Sequence, residues 1–556
     1  MRENIKKALR NALVQCVDQG ILPAAEIPDD LQVSRPRHEQ HGDFATNAAM
    51  ILSSVFKMPP RKIAEALKVQ LESDPLFSRV DVAGPGFINF FIRPEWWQKN
   101  LCIIVEQGDA YGKRLQGGGP GKRVLIEFVS ANPTGPLHVG HGRGAAVGDS
   151  LARVMRAAGY QVETEYYIND VGNQMKTLGI SVFLRYQQHF GRQVEFPPEC
   201  YQGDYIRDIA AGVAEREGKK FLDVPADECI DYFISAAVDV IARSIRHDLD
   251  KFRVSFDNWF SERTLHDSGM VQDTIERLKD QGLIYEQDGA LWFRSSQYGD
   301  EKDRVVKRAN GILTYFAADI AYHREKIERG YDMLVDIWGA DHHGYIPRVK
   351  AVIKALGFDD DKLKVLLVQL VNLLQGGKLR QMSTRAGQFI TLKEVVDDVG
   401  TDAARFMFLT RKCDSHLDFD MDLAKSKSQD NPVYYVQYAH ARLCSVFRNA
   451  DSKGLSLGDV TTVQTELLSA PEEMQLMKVL AEFPAVISGA AEALEPHRIS
   501  YYLTELASLL HSYYTKYRFI EDDVELARAR LLLARALKSV FAAGLDLLGV
   551  SAPEKM

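Results

Sequence analysis

Cysteine is scarce in this chain of 556 residues, and no two cysteines are arranged as a pair. The six that occur lie far apart, without a Cys-x-x-Cys motif: Cys16, Cys102, Cys200, Cys229, Cys413 and Cys444. A disulfide scaffold and a zinc ribbon both need closely spaced cysteines, so the sequence argues against both. Scattered thiols are typical of a reducing compartment, and we therefore expect a cytoplasmic protein.

Long apolar runs are also missing. No stretch approaches the ~18–20 uninterrupted apolar residues needed to cross a bilayer, so no membrane association is expected. The N-terminus carries basic residues but lacks the apolar core of a signal peptide. It places Ile5, Leu9, Leu13 and Val17 at helical spacing, which predicts an amphipathic helix.

The chain has no excess of positive charge. It contains 68 Lys and Arg against 76 Asp and Glu, which gives a net charge of −8. Nucleic-acid binders are often basic, so this total counts mildly against such a partner, although local patches decide binding. A composition of 46% hydrophobic and 26% charged residues is ordinary for a globular protein, and the length suggests three or four domains.

The middle of the chain alternates between strand and helix patterns. VLIEFVS (124–130) is an almost continuous apolar run, which is the pattern of a buried parallel strand, and a helical pattern covers 141–160. Residues 334–338 and 364–374 predict further buried strands, with a helix at 349–357 between them. Strand, glycine-containing turn and helix predict the first unit of a doubly wound α/β domain.

The two ends differ from this middle. Residues 1–112 mix helix and strand patterns, and alternating Phe87, Asn89 and Phe91 after a Gly-Pro-Gly turn predict a strand with one exposed face. The glycine-rich segment 115–123 is the best linker candidate. Beyond about residue 425, apolar residues recur at helical spacing and predict a helical bundle, most clearly at 475–487, 503–514 and 525–548.

The segment ANPTGPLHVGHGRG (131–144) directly follows the first buried strand. His138 and His141 are three residues apart at a helix start, where unpaired N–H groups suit phosphates. Gly140 allows a flat base or ribose to approach the backbone, and the imidazoles can donate to phosphate oxygens as charge develops. The alternatives are a zinc half-site or polar surface, but no third ligand lies at metal-type spacing.

Two other segments are typical of nucleotide contacts. GKLRQMSTRAGQ (377–388) is a glycine-rich basic turn that could close over a triphosphate, or could be an exposed basic loop. IWGADHHGY (337–345) ends a buried strand, where open α/β folds bind ligands. Asp341 in it could hold a ribose or could be a helix N-cap.

The segment GILTYFAADIAYH (311–323) pairs a phenol with a carboxylate. Tyr315 and Asp319 are four residues apart and therefore share one helix face. A carboxylate beside a phenol suits a planar guanidinium, which forms bidentate pairs with carboxylates. The alternative is a surface aspartate on an amphipathic helix.

Taken in order, these segments resemble the arginyl-tRNA synthetases of bacterial type, and the resemblance covers essentially the whole chain. HVGH (138–141) matches the HIGH signature of class I synthetases. Five segments resemble the arginyl enzymes specifically: SANPTGPLHVGH (130–141), YYINDVGNQM (166–175), WGADHHGYIPR (338–348), QYAHAR (437–442) and LDLLGVSAPEKM (545–556).

The resemblance implies an α/β fold with three parts. A Rossmann-like catalytic domain (120–424) is expected to be interrupted by an insertion at about 175–300. An N-terminal α+β domain (1–112) would touch the tRNA elbow, and an all-α bundle (425–556) would read the anticodon. The family makes arginyl-adenylate from L-arginine and Mg-ATP, usually only with tRNA bound. It then passes the arginyl group to the 3′-terminal adenosine of arginine tRNA, by family habit at the 2′-hydroxyl, and is mostly monomeric.

The resemblance also implies roles for individual residues. ATP and the transition state would be served by Asn132, Pro133, His138, Gly140 and His141. Arginine would be bound by Glu127, Asn132, His138, Tyr315 and Asp319. The adenosine side would comprise Gly339, Asp341, His342 and Met382. A D-loop base of the tRNA would meet Phe87 and Asn89. No zinc and no structural metal are expected.

The chain departs from the family at the mobile loop, whose usual pattern is KMSKS. Met382 and Ser383 keep the centre, but Gln381 and Thr384 stand where the two lysines would be. Some arginyl enzymes also have a degenerate loop, so activity is still expected. The cations left to serve the phosphates are Lys378, Arg380 and Arg385.

Other readings stay open at this point. A cysteinyl enzyme would need zinc ligands that the sequence lacks, and a branched-chain type would need a larger editing insertion than 175–300. An inactive paralogue retained for RNA binding or regulation would explain the degraded loop. A small HIGH-bearing nucleotidyltransferase would not need the helical bundle.

Overall fold

The computed structural model describes residues 1–28, 31–36, 38–113, 121–380 and 390–556. The N-terminal part comprises α1 (Arg2–Asp18), β1 (Phe44–Thr46), α2 (Ala48–Phe56), α3 (Pro60–Leu71), β2 (Phe77–Ala83), β3 (Phe87–Ile92) and α4 (Pro94–Gln107). The amphipathic pattern at the N-terminus is α1, whose apolar face is buried.

The middle part holds most of the strands. In chain order its elements are β4 (Arg123–Glu127), α5 (Val139–Ala157), β5 (Gln161–Ile168), α6 (Asn173–His189), α7 (Asp204–Glu217), α8 (Ala226–Lys251), β6 (Asn258–Ser261), α9 (Glu262–Asp267), α10 (Met270–Asp280), β7 (Ile284–Gln287), β8 (Ala290–Phe293), β9 (Arg304–Lys307), α11 (Tyr315–Glu328), β10 (Met333–Gly339), α12 (Ile346–Ala355), β11 (Leu363–Val368), β12 (Val371–Gln375), β13 (Lys378–Leu379), α13 (Leu392–Val399), α14 (Thr401–Phe408), β14 (Leu417–Asp420) and α15 (Met421–Lys425).

A five-stranded sheet in the order β11-β10-β4-β5-β6 forms the centre of this part. Every neighbouring pair in it is parallel. The predicted strand after residue 123 is its central strand, and its apolar side chains are buried on both faces, as the continuous run requires. Because all strands point the same way, their carboxyl ends meet at one edge, and the polar segments that follow them converge there.

The helix after the first strand packs closely on the sheet. Gly148 of α5 faces Phe128, and a Cβ at this glycine would come within 2.2 Å of the phenyl ring. A side chain would therefore push α5 off the sheet. This contact fixes the helix that begins at the histidine signature.

The predicted insertion at 175–300 is divided in the structure. Strand β6 lies inside that range, yet it pairs with β5 as the edge strand of the central sheet. Helices α6 to α8 precede it, and a separate antiparallel sheet, β7-β8-β9, follows. The predicted strand at 364–374 is also two strands, because β11 joins the central sheet and β12 joins β13 and β14.

The N-terminal sheet has the order β1-β3-β2. One residue of β3, Asn89, is less exposed than the predicted contact surface requires. Phe87 is 41% exposed, as expected for a contact surface, but Asn89 is only 6% exposed. Asn89 sits in the central strand, between Ala45 and Asp81. The strand therefore does not present Phe87 and Asn89 on one exposed face.

The C-terminal part is helical, as predicted. It comprises α16 (Pro432–Ser452), α17 (Pro471–Leu480), α18 (Phe483–Glu492), α19 (His497–Lys516) and α20 (Val524–Leu547). The predicted helix at 475–487 is broken between α17 and α18, where Pro484 lies in the first turn of α18. Buried Arg405 joins this part to the middle, since its guanidinium donates to Leu548 O at 2.8 Å and Phe252 O at 2.9 Å.

Across the described ranges, we find no helix that is both long enough and apolar enough to cross a membrane.

Candidate active site

The histidine signature forms the N-terminal cap of α5. The ring nitrogen Nδ1 of His138 accepts from the backbone N–H of Gly140 at 3.1 Å and of His141 at 3.4 Å. Nδ1 of His141 accepts in turn from the backbone N–H of His138 at 3.3 Å. The two rings stack with centroids 3.6 Å apart. Two of the helix's unpaired donors are thus satisfied by the signature itself.

This capping fixes the protonation of both rings. Because each Nδ1 accepts a hydrogen bond, the proton of each neutral ring must be on Nε2. Burial lowers the pKa of His141 to about 3, with His138 as a smaller cause, and burial also lowers the pKa of His138. The pair is therefore neutral at physiological pH. A Cβ at position 140 would lie 3.0 Å from His138 Cε1, so a side chain there would crowd the ring that caps the helix.

The turn between β4 and the signature is strained. Val129 and Ser130 have φ angles of 67° and 40°, which side-chain-bearing residues rarely adopt. The Ser130 hydroxyl donates to Glu127 Oε1 at 2.8 Å and accepts from the backbone N–H of Tyr167 at 3.1 Å. Asn132 lies beyond the turn, is exposed, and donates to Gln174 Oε1 at 2.8 Å. The strain is thus held at the carboxyl edge of the sheet.

Glu127 belongs to a buried cluster that contains its own cation. Lys326 of α11, fully buried, contacts Glu127 Oε2 and lies 2.9 Å from Asp336 Oδ1. Burial would raise the pKa of Asp336, but Lys326 and His323 together outweigh it and lower that pKa to about 2. The pKa of Glu127 is raised, because burial outweighs the lysine there. Next to this cluster, Arg329 makes two hydrogen bonds to Glu165, at 2.7 and 2.8 Å.

Asp319, seven residues before Lys326 on α11, has a different environment. Its Oδ2 accepts from the Tyr345 hydroxyl. Within the described residues it contacts no Lys or Arg nitrogen, and burial raises its pKa. Tyr315 shares the helix with Asp319, as predicted, but it is 49% exposed and its hydroxyl lies beside Gly172. The phenol that contacts the carboxylate is therefore Tyr345.

A second buried carboxylate, Glu262, lies close enough to Asp319 for the two charges to oppose each other. Its pKa is raised to about 7, first by burial and then by the charges of Asp319 and Asp170. Its basic contact is His266 Nε2, at 3.6 Å. The buried Tyr167 hydroxyl is near both carboxylates and makes no well-formed hydrogen bond among the described residues.

Glu262 borders a cavity of about 350 Å³, whereas Asp319 and Tyr167 are not among its walls. Its walls include Gly172, Glu262, His266, Arg308 and Tyr315. The cavity is large enough for an amino-acid side chain and brings a buried carboxylate to the solvent side of the sheet.

The segment after β10 lies next to the histidine signature. Asp341 is near enough to His138 for its charge to act on the ring. A Cβ at Gly339 would lie 2.5 Å from Asp341 Oδ1, so the carboxylate folds back over this glycine. His342 Nε2 is 3.6 Å from Asp341 Oδ2, and both side chains are exposed. The predicted adenosine-side residues Gly339, Asp341 and His342 are therefore together.

Only the start of the basic loop is described. Lys378 and Arg380 are exposed, and Arg380 NH1 donates to Gln375 Oε1 at 3.4 Å. The other predicted loop residues lie outside the described residues: Gln381, Met382, Ser383, Thr384 and Arg385.

No group of three or more His, Cys, Asp or Glu side chains in the described ranges is arranged to hold a metal ion.

Sequence reasoning missed Glu262 and Tyr345. Glu262 follows β6 immediately, so it has the same signal as Glu127, a carboxylate at a strand end. That signal was hidden because β6 has only four residues and lies within the predicted insertion. Tyr345 was in view in IWGADHHGY, but its pairing with Asp319 spans 26 residues and needs the fold.

Three family models match consecutive parts of the chain. They are described as an arginyl tRNA synthetase N terminal domain (residues 2–92), a catalytic domain of class I (R) tRNA synthetases (104–417) and a DALR anticodon binding domain (436–556). The catalytic model alone covers more than half of the chain.

Relatives agree over the full length. An arginine–tRNA ligase of Desulfosudis oleivorans is 52% identical over 561 residues, and one of Syntrophotalea carbinolica is 51% identical over 557. Each alignment covers 100% of both chains. The arginyl-tRNA synthetase of Thermus thermophilus superposes with a TM-score of 0.76 over 100% of both chains at 23% identity, which supports the fold. The resemblance found in the motifs is thereby confirmed, and the chain belongs to the arginyl-tRNA synthetases of class I.

Proposed function

We propose that this chain activates L-arginine with ATP, transfers it to the 3′-terminal adenosine of an arginine tRNA, and binds the arginine side chain between Asp319 and Glu262. The observation that carries the substrate assignment is that buried Glu262, which borders the cavity, and Asp319, whose charge acts on it, contact no Lys or Arg nitrogen in the described part of the chain. Buried carboxylates without a cation are costly, so a cationic ligand is required to offset the cost.

A guanidinium fits this pair better than an ammonium ion does. It is planar, permanently charged and offers five N–H donors, so it can serve two carboxylates at once. The Tyr167 hydroxyl supplies a further acceptor. Exposed Asn132 would meet the α-amino end of the substrate. Glu127, already paired with Lys326, would hold the turn before the signature through Ser130. Tyr315, at the mouth of the cavity, would cover the side chain.

The nucleotide side would use the first turn of α5. The two neutral histidines carry protons on Nε2, which suits donation to phosphate oxygens without a charge that must be desolvated. In the first step the arginine carboxylate attacks the α-phosphorus, and pyrophosphate leaves. Asp341 and His342 would hold the adenosine beside Gly339, with Pro133 shaping the turn before the signature.

The charge on the leaving pyrophosphate requires cations. We include Lys378 and Arg380 in this role, because both are exposed at the base of the loop. Mg²⁺ prefers to keep several waters and to bind through substrate phosphates, so it would arrive with ATP and would not need a protein cage.

We also propose that the chain divides into domains at 1–112, 120–424 and 425–556. The protein would act as a monomer in the cytoplasm. Phe87 is the exposed aromatic that would stack on a tRNA base. Asn89 could take part only if the edge of the N-terminal sheet opened. The helices α16 to α20 would meet the anticodon arm.

Pyrophosphate exchange tests the proposal. Each of the twenty amino acids is supplied with ATP, with and without arginine tRNA, to the parent and to Asp319→Asn. We expect exchange with arginine only. Removing one partner of a buried charged pair costs ~2–5 kcal/mol, so kcat/KM for arginine should fall by the factor that corresponds to this free energy. KM for ATP should stay within about twofold. Exchange with another amino acid, or an unchanged arginine KM in Asp319→Asn, would refute the assignment.

A further inference from the structure

The segment YYINDVGNQM (166–175) contains two residues to which the proposed mechanism gives no role. Asn169 and Asp170 directly follow β5, and Glu262 directly follows β6. The two strands are parallel neighbours, with Ile168 paired to Ser261. Asn169 and Asp170 therefore leave the sheet beside the point where Glu262 leaves it.

Asp170 holds the residues on both sides of Glu262. Its Oδ2 accepts from the Ser261 hydroxyl at 2.7 Å, and its Oδ1 accepts from the backbone N–H of Arg263 at 3.1 Å. The Arg263 guanidinium returns a hydrogen bond to the backbone oxygen of Asp170 at 3.2 Å. One largely buried carboxylate thus fixes the backbone immediately before and after Glu262.

Asn169 holds the Glu262 carboxylate itself. With its amide nitrogen facing the available acceptors, it donates to Glu262 Oε2 at 3.1 Å and to Val171 O at 3.2 Å. The other carboxylate oxygen, Oε1, faces His266. Backbone and side chain of Glu262 are therefore both restrained by two consecutive residues of the neighbouring strand end.

This restraint matters for a guanidinium more than for a simple cation. A bidentate pair needs the carboxylate in the plane of the guanidinium, whereas an ammonium ion accepts many directions. Glutamate has three side-chain torsions, and ordering them at the moment of binding would weaken affinity. A carboxylate ordered beforehand avoids that loss.

We propose that Asn169 and Asp170 are positioning residues that hold Glu262 ready for the arginine guanidinium. The inference rests on the proposed function, in which Glu262 contacts arginine. The paired ends of β5 and β6 would thereby contribute to substrate selection, and neither residue is required to touch the substrate.

A double-mutant cycle tests the proposal in the full-length enzyme. The variants are Asn169→Ala, Asp170→Asn and Glu262→Gln, and each of the first two combined with Glu262→Gln. KM for arginine, KM for ATP and kcat are measured by pyrophosphate exchange with tRNA present. We expect Glu262→Gln to raise KM for arginine at least about tenfold. Each positioning variant should raise it about three- to tenfold, with kcat and KM for ATP within about twofold.

The combined variants give the decisive result. If Asn169 and Asp170 act through Glu262, adding either change to Glu262→Gln should alter KM for arginine by less than about twofold. If Asp170 attracted arginine by its charge alone, its effect would persist in full in the Glu262→Gln background. That result would overturn the proposal.

Asp257→Asn is the matched control. Asp257 also joins β5 to β6 through a carboxylate, accepting from the backbone N–H and the hydroxyl of Thr164, each at 2.8 Å. It does so at the opposite end of the strands. Its KM for arginine should stay within about twofold of the parent.

The KM values for arginine distinguish a failure of the proposed arginine pocket from a failure of the positioning role. An unchanged arginine KM in Glu262→Gln would defeat the arginine pocket of the proposed function. A raised KM in Glu262→Gln with unchanged values in both positioning variants would defeat only this inference. Should Asp170→Asn fail to fold, Asn169→Ala removes a single side chain's hydrogen bonds and decides the question alone.

Discussion

Helix α11 lies beside two clusters of carboxylates that differ in one respect. In the inner cluster, Glu127 and Asp336 share Lys326, and Glu165 is paired with Arg329. In the outer pair, Asp319 and Glu262 have a phenol and an imidazole as neighbours, and within the described residues neither contacts a Lys or Arg nitrogen.

The difference separates structural carboxylates from those that wait for a ligand. Burial disfavours the charged form in both sets, but only the inner set has a Lys or Arg of the described chain to compensate it. The outer pair leaves negative charge that a substrate cation can neutralise. Burial of a carboxylate is therefore weak evidence for a site, whereas burial without a cation is strong evidence.

Lys326→Met should change stability more than the other variants do, because it removes the cation that distinguishes the inner cluster from the outer pair. It leaves Glu127 and Asp336 buried without their shared cation, and breaking such a pair costs ~3–5 kcal/mol. We expect a clear fall in the melting temperature and in the urea midpoint of the arginine-free protein.

Lys350→Met is the matched control for that change. Lys350 pairs with Asp360 at 3.6 Å on the surface, where ion pairs contribute ~0–1 kcal/mol. Its melting temperature should be close to that of the parent. Equal losses in the two variants would mean that the inner cluster is not held by its lysine.

Glu262→Gln should change the stability of the arginine-free protein in the opposite direction, by stabilising it. The pKa of Glu262 is about 7 in the folded protein against 4.5 for a free glutamate, so the folded state binds this proton more tightly than the unfolded state. The parent therefore loses stability as pH rises from 4.5 to 7. At pH 8 without arginine, the variant should be more stable by about 2–3 kcal/mol, and the gain should vanish near pH 4.5. Melting temperatures across this range measure it, and a destabilised variant at pH 8 would contradict the unpaired state of Glu262.

The contrast also shows how much of the molecule was readable from sequence. The central strand β4, helices α5, α11 and α20, and the signature at the strand end were predicted, because apolar periodicity and strand-end motifs are local. The family, the fold class and the reaction followed from the same segments and are confirmed. The roles of the individual site residues remain predictions.

What sequence did not predict depends on partners distant in the chain. Lys326 and Glu127 are 199 residues apart, so no local pattern reveals the ion pair that occupies Glu127. Asn89 is buried in a central strand between Asp81 and Ala45, the latter distant in sequence, so its own strand pattern does not reveal its burial. Strand β6 is too short to show a periodicity in the sequence. Only its pairing with β5 shows that Glu262 follows a strand of the central sheet and does not lie within an insertion.

Arginine binding should depend on pH, because the Glu262 carboxyl of the outer pair must lose one proton before it can bind a cation. At pH 6 only about one tenth of a carboxyl with a pKa near 7 is ionised, and a cation binds the ionised form. KM for arginine should therefore rise roughly tenfold from pH 8 to pH 6, while KM for ATP does not follow this slope. In Glu262→Gln the arginine slope should flatten. A slope that persists in the variant would assign the titration to another group.

Tyr345→Phe should have the smallest effect, and it tests whether Asp319 truly belongs to the unpaired set. The ring packs edge-on against Phe316 and Trp338, so phenylalanine preserves the packing and removes only the hydroxyl that donates to Asp319. Asp319 can respond by holding its proton, because burial already raises its pKa. In the complex, the guanidinium supplies donors that replace the phenol. We therefore expect a change of ~0.5–1 kcal/mol in stability and about two- to fivefold in KM for arginine, measured by melting and pyrophosphate exchange. A stability loss as large as that of Lys326→Met would mean that the phenol compensates Asp319 as fully as the lysine compensates Glu127, and the division between the two clusters would fail.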